Sequence, residues 1–252
     1  MAQRLSKKKQ PKREVKQLKE RDLIESGVFD RKTLMVLYGF LNKRYLESVD
    51  FPISTGKEAD VFRATAGPKL KDKYKYVAVK IFRIETTGFI QMQDYLLADP
   101  RFSKVKRSKR QLIFAWCSKE FRNLKICEEA GVPAPKPIAF KDNVLLMEFL
   151  GDENGTPDPT LQQVGSTHPK RDFKLLLGYV KKLYKKGFVH ADLSEFNIIM
   201  HGYPDRKPYL IDIGQGVVLG HPKSKDFLDR DLANLCKCFG SYGINTNAKG
   251  VC

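Results

Sequence analysis

Two short stretches decide the fold of this chain: HADLSEFN at residues 190–197 and LIDIG at residues 210–214. In the first, Asp192 and Asn197 lie five positions apart on what reads as a tight loop. The carboxylate can meet an attacking hydroxyl or water, and the amide oxygen can help to bind Mg²⁺. In the second, Asp212 follows an apolar strand and precedes a glycine, which favours a hard oxygen ligand for Mg²⁺. Together the two motifs predict a phosphotransferase fold.

Two upstream segments occur in the order that phosphoryl transfer needs. VAVK at residues 77–80 places Lys80 on a strand, where its ammonium can contact α- and β-phosphates if a carboxylate holds it. Glu120, on the next predicted helix, is the natural partner, because a buried lysine without one would lose its charge. STGKEADV at 54–61 forms a turn in which Gly56 could lay backbone N–H groups over phosphates. Each segment also has a simpler explanation when it is taken alone. Lys80 could be an exposed lysine at a strand edge, and STGKEADV could be an ordinary glycine-containing hairpin.

The apolar run NVLLMEFL at residues 143–150 reads as a strand that leads into a hinge. The peptide groups of Glu148 and Leu150 could face an adenine edge, with Met147 behind the base. His190 could act as a base, but in this loop we predict a structural residue that ties the loop to the strand around Asp212.

The remaining periodicity predicts an α+β arrangement of two lobes joined near residue 150. Short helices are expected over 21–49 with Asp30 as an N-cap, and strands over FPIST, ADVFRAT and KYVAVKIFRI. A helix over 115–130 should end at Gly131, and others should span 172–186, with Tyr184 on the inward face, and 224–239. The predicted segments are a basic flexible arm at 1–20, N-terminal helices at 21–50, an N-lobe at 51–147 with a basic insert at about 83–110, and a C-lobe at 148–252.

The composition excludes some classes of protein. Lysine and arginine number 46 against 29 acidic residues, which gives a formal net charge of +17. Apolar runs are too short for a membrane span and the N-terminus has no apolar segment, so we expect a cytoplasmic protein with no membrane partner.

We interpret the five cysteines as reduced thiols, with Cys236 and Cys238 in packing rather than at zinc. The basic stretches 1–20 and 101–110 favour a polyanion, either RNA or mere counterions, and 181–186 reads as solvated surface.

The motifs together resemble the RIO family of atypical protein kinases. The resemblance covers about residues 25–240 and rests on STGKEADVF (54–62), AVKIFRIET (78–86), KEFRNL (119–124), LLMEFLG (145–151), HADLSEFN (190–197) and IDIGQ (211–215). An ordinary kinase has a G-x-G-x-x-G loop, whereas this chain has Ser54, Gly56 and Ala59 at those positions. The chain is most similar to the first RIO subfamily, which lacks a winged helix, and to its archaeal members.

This resemblance implies a two-lobed protein-kinase-like fold with a small antiparallel-sheet N-lobe. The C-lobe should be truncated and mainly helical, because only 40 residues follow Asp212 and no A-P-E occurs among them. An activation segment and peptide-docking helices should therefore be missing.

The resemblance also implies an ATP- and Mg²⁺-dependent serine kinase and ATPase, with Mn²⁺ as a possible substitute. The family phosphorylates itself and acts on the maturing small ribosomal subunit, so the expected partners are its RNA and proteins, bound through the arm and insert. Asp212 can also accept the γ-phosphoryl group in this family. The implied catalytic residues are Asp192, Lys80, Glu120 and Asp212; the metal ligands are Asn197 and Asp212; and the nucleotide-binding residues are Ser54, Thr55, Gly56, Lys57, Glu58, Val61, Lys80, Met147, Glu148 and Leu150.

Ser108 is the candidate for self-phosphorylation, with Ser103 next, because four cations surround it in KRSKR at 106–110. A bystander serine in a basic loop is the equal alternative.

Two other functions stay open. A small-molecule kinase, or a kinase linked to tRNA modification, shares the H-x-D-x₄-N motif, but the STGKEA loop, the 83–110 insert and KEFRNL argue against it. A catalytically idle RNA-binding assembly factor is disfavoured because no expected catalytic position is lost.

Overall fold

The computed structural model describes residues 29–84, 93, 95, 96, 98–102 and 108–244. The predicted arm at 1–20, Ser103 and most of the predicted insert lie outside these residues. Within the described part of the chain, no helix is both long enough and apolar enough to cross a membrane.

The first helix, α1 (Arg31–Asn42), packs on the outer face of the N-lobe sheet. Asp30 caps it as predicted, since its carboxylate accepts the Thr33 backbone N–H at 2.7 Å. Leu37 and Phe40 are buried among the side chains of the sheet. The helix therefore covers the sheet face that points away from the second lobe.

The N-lobe sheet is antiparallel, as predicted. Its strands are β1 (Leu46–Thr55), β2 (Ala59–Ala66), β3 (Tyr76–Phe82), β4 (Pro137–Lys141) and β5 (Val144–Glu148), in the spatial order β1-β2-β3-β5-β4. Side chains alternate between the two faces of β3, so Val79 and Ile81 pack toward α1. Lys80 and Phe82 point to the opposite face, toward the second lobe. The alternation of side chains along β3 thus places Lys80 in the space between the lobes.

The long helix α2 (Lys109–Ala130) begins six residues before the predicted start and ends at Gly131, whose φ of 61° fits the predicted C-cap. Lys109 and Arg110 form its first turn, so the last two residues of the predicted basic insert belong to this helix. Arg110 pairs with Asp30 at 3.0 Å, which ties this first turn to the start of α1. Ser108 is exposed and occupies the N-cap position rather than the interior of a loop.

The C-lobe contains α3 (Leu161–Val164), α4 (Pro169–Lys185), α5 (Ser224–Gly240) and four short strands. Strand β6 (Phe188–Val189) pairs with β9 (Val217–Val218), and β7 (Ile198–His201) pairs with β8 (Lys207–Leu210). The prediction of Tyr184 as an inward residue was wrong: it lies in the last turn of α4 and is 49% exposed.

One hydrophobic core joins the lobes. Trp116 on α2, Leu145 on β5 and Leu176 on α4 belong to the same buried cluster. Residues 219–223 alone connect β9 to α5, which leaves no room there for an activation segment. The predicted two-lobed α+β fold is confirmed.

Candidate active site

A cavity of about 660 Å³ lies between the sheet and the C-lobe. It is lined by nine of the ten predicted nucleotide-binding residues: Ser54, Gly56, Lys57, Glu58, Val61, Lys80, Met147, Glu148 and Leu150. Thr55 is not in its wall. Glu120, Asn197 and Asp212 also line it. The structure therefore gathers residues from both halves of the chain around one cleft.

Apolar side chains form two facing walls of the cleft, and they include residues that the motifs did not assign to the nucleotide. Ala78 and Val61 come from the sheet, and Ile199 and Ile211 come from the C-lobe. Ala78 precedes Lys80 by two positions and shares its strand face, so period-two alternation could have identified it. In the C-lobe, Ile199 lies on β7 and Ile211 directly follows β8, and neither carries a comparable sequence signal. Apolar walls of this kind fit a planar heterocycle.

The hinge peptide groups are partly occupied by the protein itself. The Glu148 N–H donates to the Lys136 carbonyl at 2.9 Å, and the Leu150 carbonyl accepts the Asp158 N–H at 3.1 Å. The Glu148 N–H is therefore used within the protein, and we expect the Glu148 carbonyl and the Leu150 N–H to contact a base edge.

The turn between β1 and β2 closes differently from the expected phosphate cradle. The Gly56 N–H donates to the Ala59 carbonyl at 3.0 Å, so this N–H is used within the hairpin. A Cβ at position 56 would lie 3.1 Å from the Ala59 oxygen, which explains the glycine. Glu58 in the same turn faces the cleft, where burial and then the charge of Asp212 raise its pKa.

Lys80 is the centre of the charged cluster in the cleft. Its Nζ lies 2.8 Å from both Glu120 oxygens and 2.8 Å from Asp212 Oδ1. Burial opposes the ammonium form, but the two carboxylates outweigh it and raise the Lys80 pKa above its ordinary value. Lys80 is therefore a cation, and the predicted pairing with Glu120 is confirmed.

The two carboxylates of this cluster differ in their surroundings. Glu120 is 2% exposed, and burial raises its pKa despite the attraction of Lys80. The Asp212 side chain is 51% exposed, and Lys80 lowers its pKa. Asp212 thus remains an anion at the cleft surface, and its φ of 55° places it in the left-handed region.

Asp192 is held by two side-chain amides. Asn197 Nδ2 donates to its Oδ2 at 3.0 Å and to its main-chain oxygen at 2.8 Å, and Gln215 Nε2 donates to Oδ2 at 3.2 Å. Among the described residues, Oδ1 receives no hydrogen bond. Burial and then the nearby Asp212 charge raise the Asp192 pKa. The geometry leaves Oδ1 open to a further contact, and Gln215 is a residue of this cluster that sequence reasoning missed.

The loop that carries Asp192 is anchored from behind by α5. Asp231, 1% exposed, accepts the backbone N–H groups of Ala191 at 2.8 Å and Leu193 at 2.9 Å. Ala191 has a φ of 67°, so these bonds hold a backbone conformation that alanine seldom adopts. His190 Nε2 lies 3.2 Å from the Ile211 carbonyl, which confirms the predicted structural tie. Asp231 was missed because it follows Asp192 by 39 positions.

The donor set fits magnesium that is shared with phosphates. The Asn197 Nδ2 donates to Asp192, so the Asn197 Oδ1 remains available as a metal ligand. Asp212 bonds Lys80 through Oδ1, so its Oδ2 is also available. No group of three or more His, Cys, Asp or Glu side chains suited to a metal occurs in the described ranges. Mg²⁺ is usually bound by one or two carboxylates, waters and substrate phosphates, so two protein ligands suffice.

A Lys–Glu pair in a sheet lobe, facing an H-x-D-x₄-N loop and a D-x-G turn in a helical lobe, defines the class of protein-kinase-like phosphotransferases. Comparison with known proteins gives the family. A model of the RIO domain matches residues 60–250. The chain belongs to the RIO family of atypical serine/threonine-protein kinases, as its motifs predicted.

Archaeal relatives align over most of their length. The chain is 38% identical over 230 residues to the RIO-type serine/threonine-protein kinase Rio1 of Haloferax volcanii, covering 90% of this chain and 76% of that protein. It is 39% identical to Rio1 of Methanocaldococcus jannaschii, and the match covers 92% of this chain and 79% of that protein. The serine/threonine-protein kinase rio1 of Schizosaccharomyces pombe is 36% identical, but the match covers 84% of this chain and only 42% of that longer protein.

Solved structures support the fold. Rio2 kinase from Chaetomium thermophilum superimposes with a TM-score of 0.66 at 22% identity, covering 92% of this chain and 74% of that one. Its ADP/Mg²⁺-phosphoaspartate complex gives a TM-score of 0.64 at 21% identity, covering 92% and 73%. At this identity the likeness establishes a shared kinase-like architecture.

Proposed function

We propose that this chain is an ATP- and Mg²⁺-dependent serine kinase with ATPase activity. The observation that carries the proposal is the charged cluster in which one buried lysine bonds both Glu120 and Asp212, in a cleft also lined by Asn197, which bonds Asp192. These groups match the phosphate-binding, metal-binding and nucleophile-orienting roles of a kinase. We assign the role of each residue from this correspondence with the kinase site.

Nucleotide binding replaces contacts that the protein makes with itself. Lys80 exchanges Asp212 for phosphate oxygens while Glu120 keeps its ammonium in place. Asp212 and Asn197 would hold Mg²⁺ through their oxygens, and the metal would neutralise phosphate charge when bound. The apolar walls hold the base, and the hinge at Glu148 and Leu150 reads its edge.

Phosphoryl transfer depends on Asp192. Oδ1 accepts the hydrogen of the attacking serine hydroxyl, while Asn197 and Gln215 hold Oδ2. For ATP hydrolysis, the Asp212 carboxylate can attack the γ-phosphorus, the bond to the β–γ bridging oxygen breaks, and ADP leaves. Water then hydrolyses the acyl phosphate. The similar Rio2 kinase has been solved as a phosphoaspartate complex, which supports this second route.

We further propose that the chain belongs to the first RIO subfamily, as its archaeal relatives named Rio1 suggest, and that it works in the cytoplasm on the maturing small ribosomal subunit. The net charge of +17 supports an RNA partner. The proposed divisions of the chain are an arm at 1–20, an N-terminal segment at 21–50 that contains α1 and the first residues of β1, an N-lobe at 51–147 and a C-lobe at 148–252.

Ser108 stays the proposed site of self-phosphorylation, for a revised reason. The hydroxyl is exposed at the N-cap of α2 and makes no capping hydrogen bond there. A phosphate at a helix N-terminus is stabilised by the unpaired backbone N–H groups and by the helix dipole.

The proposed function is tested by incubating the chain with γ-labelled ATP and Mg²⁺, with and without small-subunit RNA. We expect ATP turnover and label on serine, with an acid-labile fraction on Asp212. Mass spectrometry locates the label, and Ser108→Ala should reduce the serine fraction. An ATP turnover indistinguishable from the protein-free background would contradict the proposal and favour an RNA-binding assembly factor. Phosphate transfer to a small molecule alone would favour the other kinase branch.

A further inference from the structure

A completely buried lysine lies beside Glu120 and has no part in the proposed mechanism. Lys119 is 0% exposed, and its Nζ donates to the carbonyl oxygens of Gly214 and Gly216, both at 2.6 Å. Among the described residues it forms no salt bridge. Burying a lysine without an ion pair is costly, so a chain that keeps one here gains something from the two contacts.

Asn123, one turn further along α2, contacts the same loop. Its Nδ2 donates to the Ile213 carbonyl at 2.8 Å and to the Gly216 carbonyl at 3.1 Å. The side chain is 0% exposed, and its Oδ1 is buried without a partner in the described part of the chain. An unsatisfied buried acceptor lowers stability. An apolar residue would avoid that cost but would also remove the side-chain donor to the Ile213 carbonyl, so the asparagine is kept for its bonds to this loop.

The loop between Asp212 and Gly216 is pressed against the same face of α2. A Cβ at Gly214 would lie 3.0 Å from Trp116 Nε1 and 3.1 Å from Glu120 Oε2. Every carbonyl from Ile213 to Gly216, apart from that of Gln215, accepts a hydrogen bond from Lys119 or Asn123. The loop is therefore held by its backbone, which leaves its side chains to face the cleft.

The two functional side chains of this loop face different partners. Asp212 at one end bonds Lys80, and Gln215 near the other end bonds Asp192. A shift of the loop would displace the metal-binding carboxylate and the support of the catalytic carboxylate together.

We propose that Lys119 and Asn123 form a clamp that fixes the loop 212–216 on α2 and thereby positions Asp212 for the metal-bound nucleotide. The inference rests on the proposed function, because it assigns the clamp to the Mg²⁺ site of that function. A lysine amine has two N–H groups even when it is uncharged, so the clamp needs no particular protonation state to bond both carbonyls.

The alternative is that these residues only stabilise the core. A core role changes unfolding and leaves the metal dependence of nucleotide binding untouched. A positioning role changes the metal dependence in a protein that is still folded. The two roles are separated by measuring ADP affinity by calorimetry in EDTA and over a MgCl₂ series, together with the thermal midpoint of each variant.

The full-length chain is compared with Lys119→Met, Asn123→Ala and the control Lys125→Met, an exposed lysine of the same helix. For Lys119→Met we expect the Mg²⁺ concentration for half-maximal enhancement of ADP binding to rise at least about tenfold, while ADP affinity in EDTA stays within about twofold. For Asn123→Ala, the Mg²⁺ concentration for half-maximal enhancement should also rise, by at least about threefold. Lys125→Met should match the wild type.

A folded Lys119→Met with wild-type Mg²⁺ dependence would overturn the clamp. If Lys119→Met does not fold, Asn123→Ala decides by the same criterion, since it introduces no change of charge. A wild-type chain that binds no ADP contradicts the proposed nucleotide site itself. If the wild type binds ADP with Mg²⁺ and both variants show the same Mg²⁺ dependence, the clamp alone is contradicted.

Discussion

Lys119→Met should change how the stability of the chain depends on pH. Burial lowers the pKa of Lys119 from 10.5 to about 7, and the charge of nearby Asp99 only partly offsets this. Between these two pKa values the unfolded chain carries a proton on Lys119 that the folded chain lacks. The wild-type free energy of unfolding therefore rises with pH, by up to about 1.4 kcal/mol per pH unit for this one group. From pH 7 to pH 9 the rise amounts to about 2 kcal/mol.

The assay is urea denaturation of wild type and Lys119→Met at pH 7, 8 and 9, followed by the fluorescence of Trp116. It is the single tryptophan of the chain and is buried beside Lys119. Groups common to both proteins cancel in the difference between their unfolding free energies. That difference should grow by about 2 kcal/mol in favour of the wild type as the pH rises from 7 to 9. A difference that stays constant over this range would refute the reasoning, and Lys125→Met should show no trend.

Two further substitutions test the cleft and its support. Glu120→Gln removes one of the two carboxylates that hold Lys80, so we expect kcat for ATP turnover to fall at least about tenfold in a folded protein; an unchanged kcat in steady-state assays would show that Asp212 alone positions the lysine. Asp231→Ala leaves the buried N–H groups of Ala191 and Leu193, on either side of Asp192, without an acceptor. Its free energy of unfolding in urea should fall by about 2–4 kcal/mol, and a loss below about 0.5 kcal/mol would indicate that these bonds contribute little.

The parts of the site that the sequence predicted lie in local motifs. Lys80 follows from strand alternation, and Asp192 with Asn197 from the spacing of one loop. The pairing of Lys80 with Glu120 spans 40 positions, and it could be predicted because a buried lysine requires a carboxylate and the next helix offered one.

The parts that the sequence did not predict depend on tertiary packing. Asp231 and Lys119 are charged residues in helices, where the usual expectation is an exposed side chain. Each is buried because it bonds backbone groups of a loop distant in sequence, and no local pattern encodes such contacts. The early start of α2 was missed for a related reason. Its first turn is basic and polar, and the contact of Arg110 with Asp30 supports it where hydrophobic periodicity does not.

The central claim is that the cleft binds Mg²⁺-ATP and that Asp192 orients the nucleophile rather than the nucleotide. It is tested most directly by measuring phosphoryl transfer and ATP affinity together in Asp192→Ala. We expect transfer from ATP to fall to background while ATP affinity stays within about threefold of the wild type. Full turnover in Asp192→Ala would contradict it.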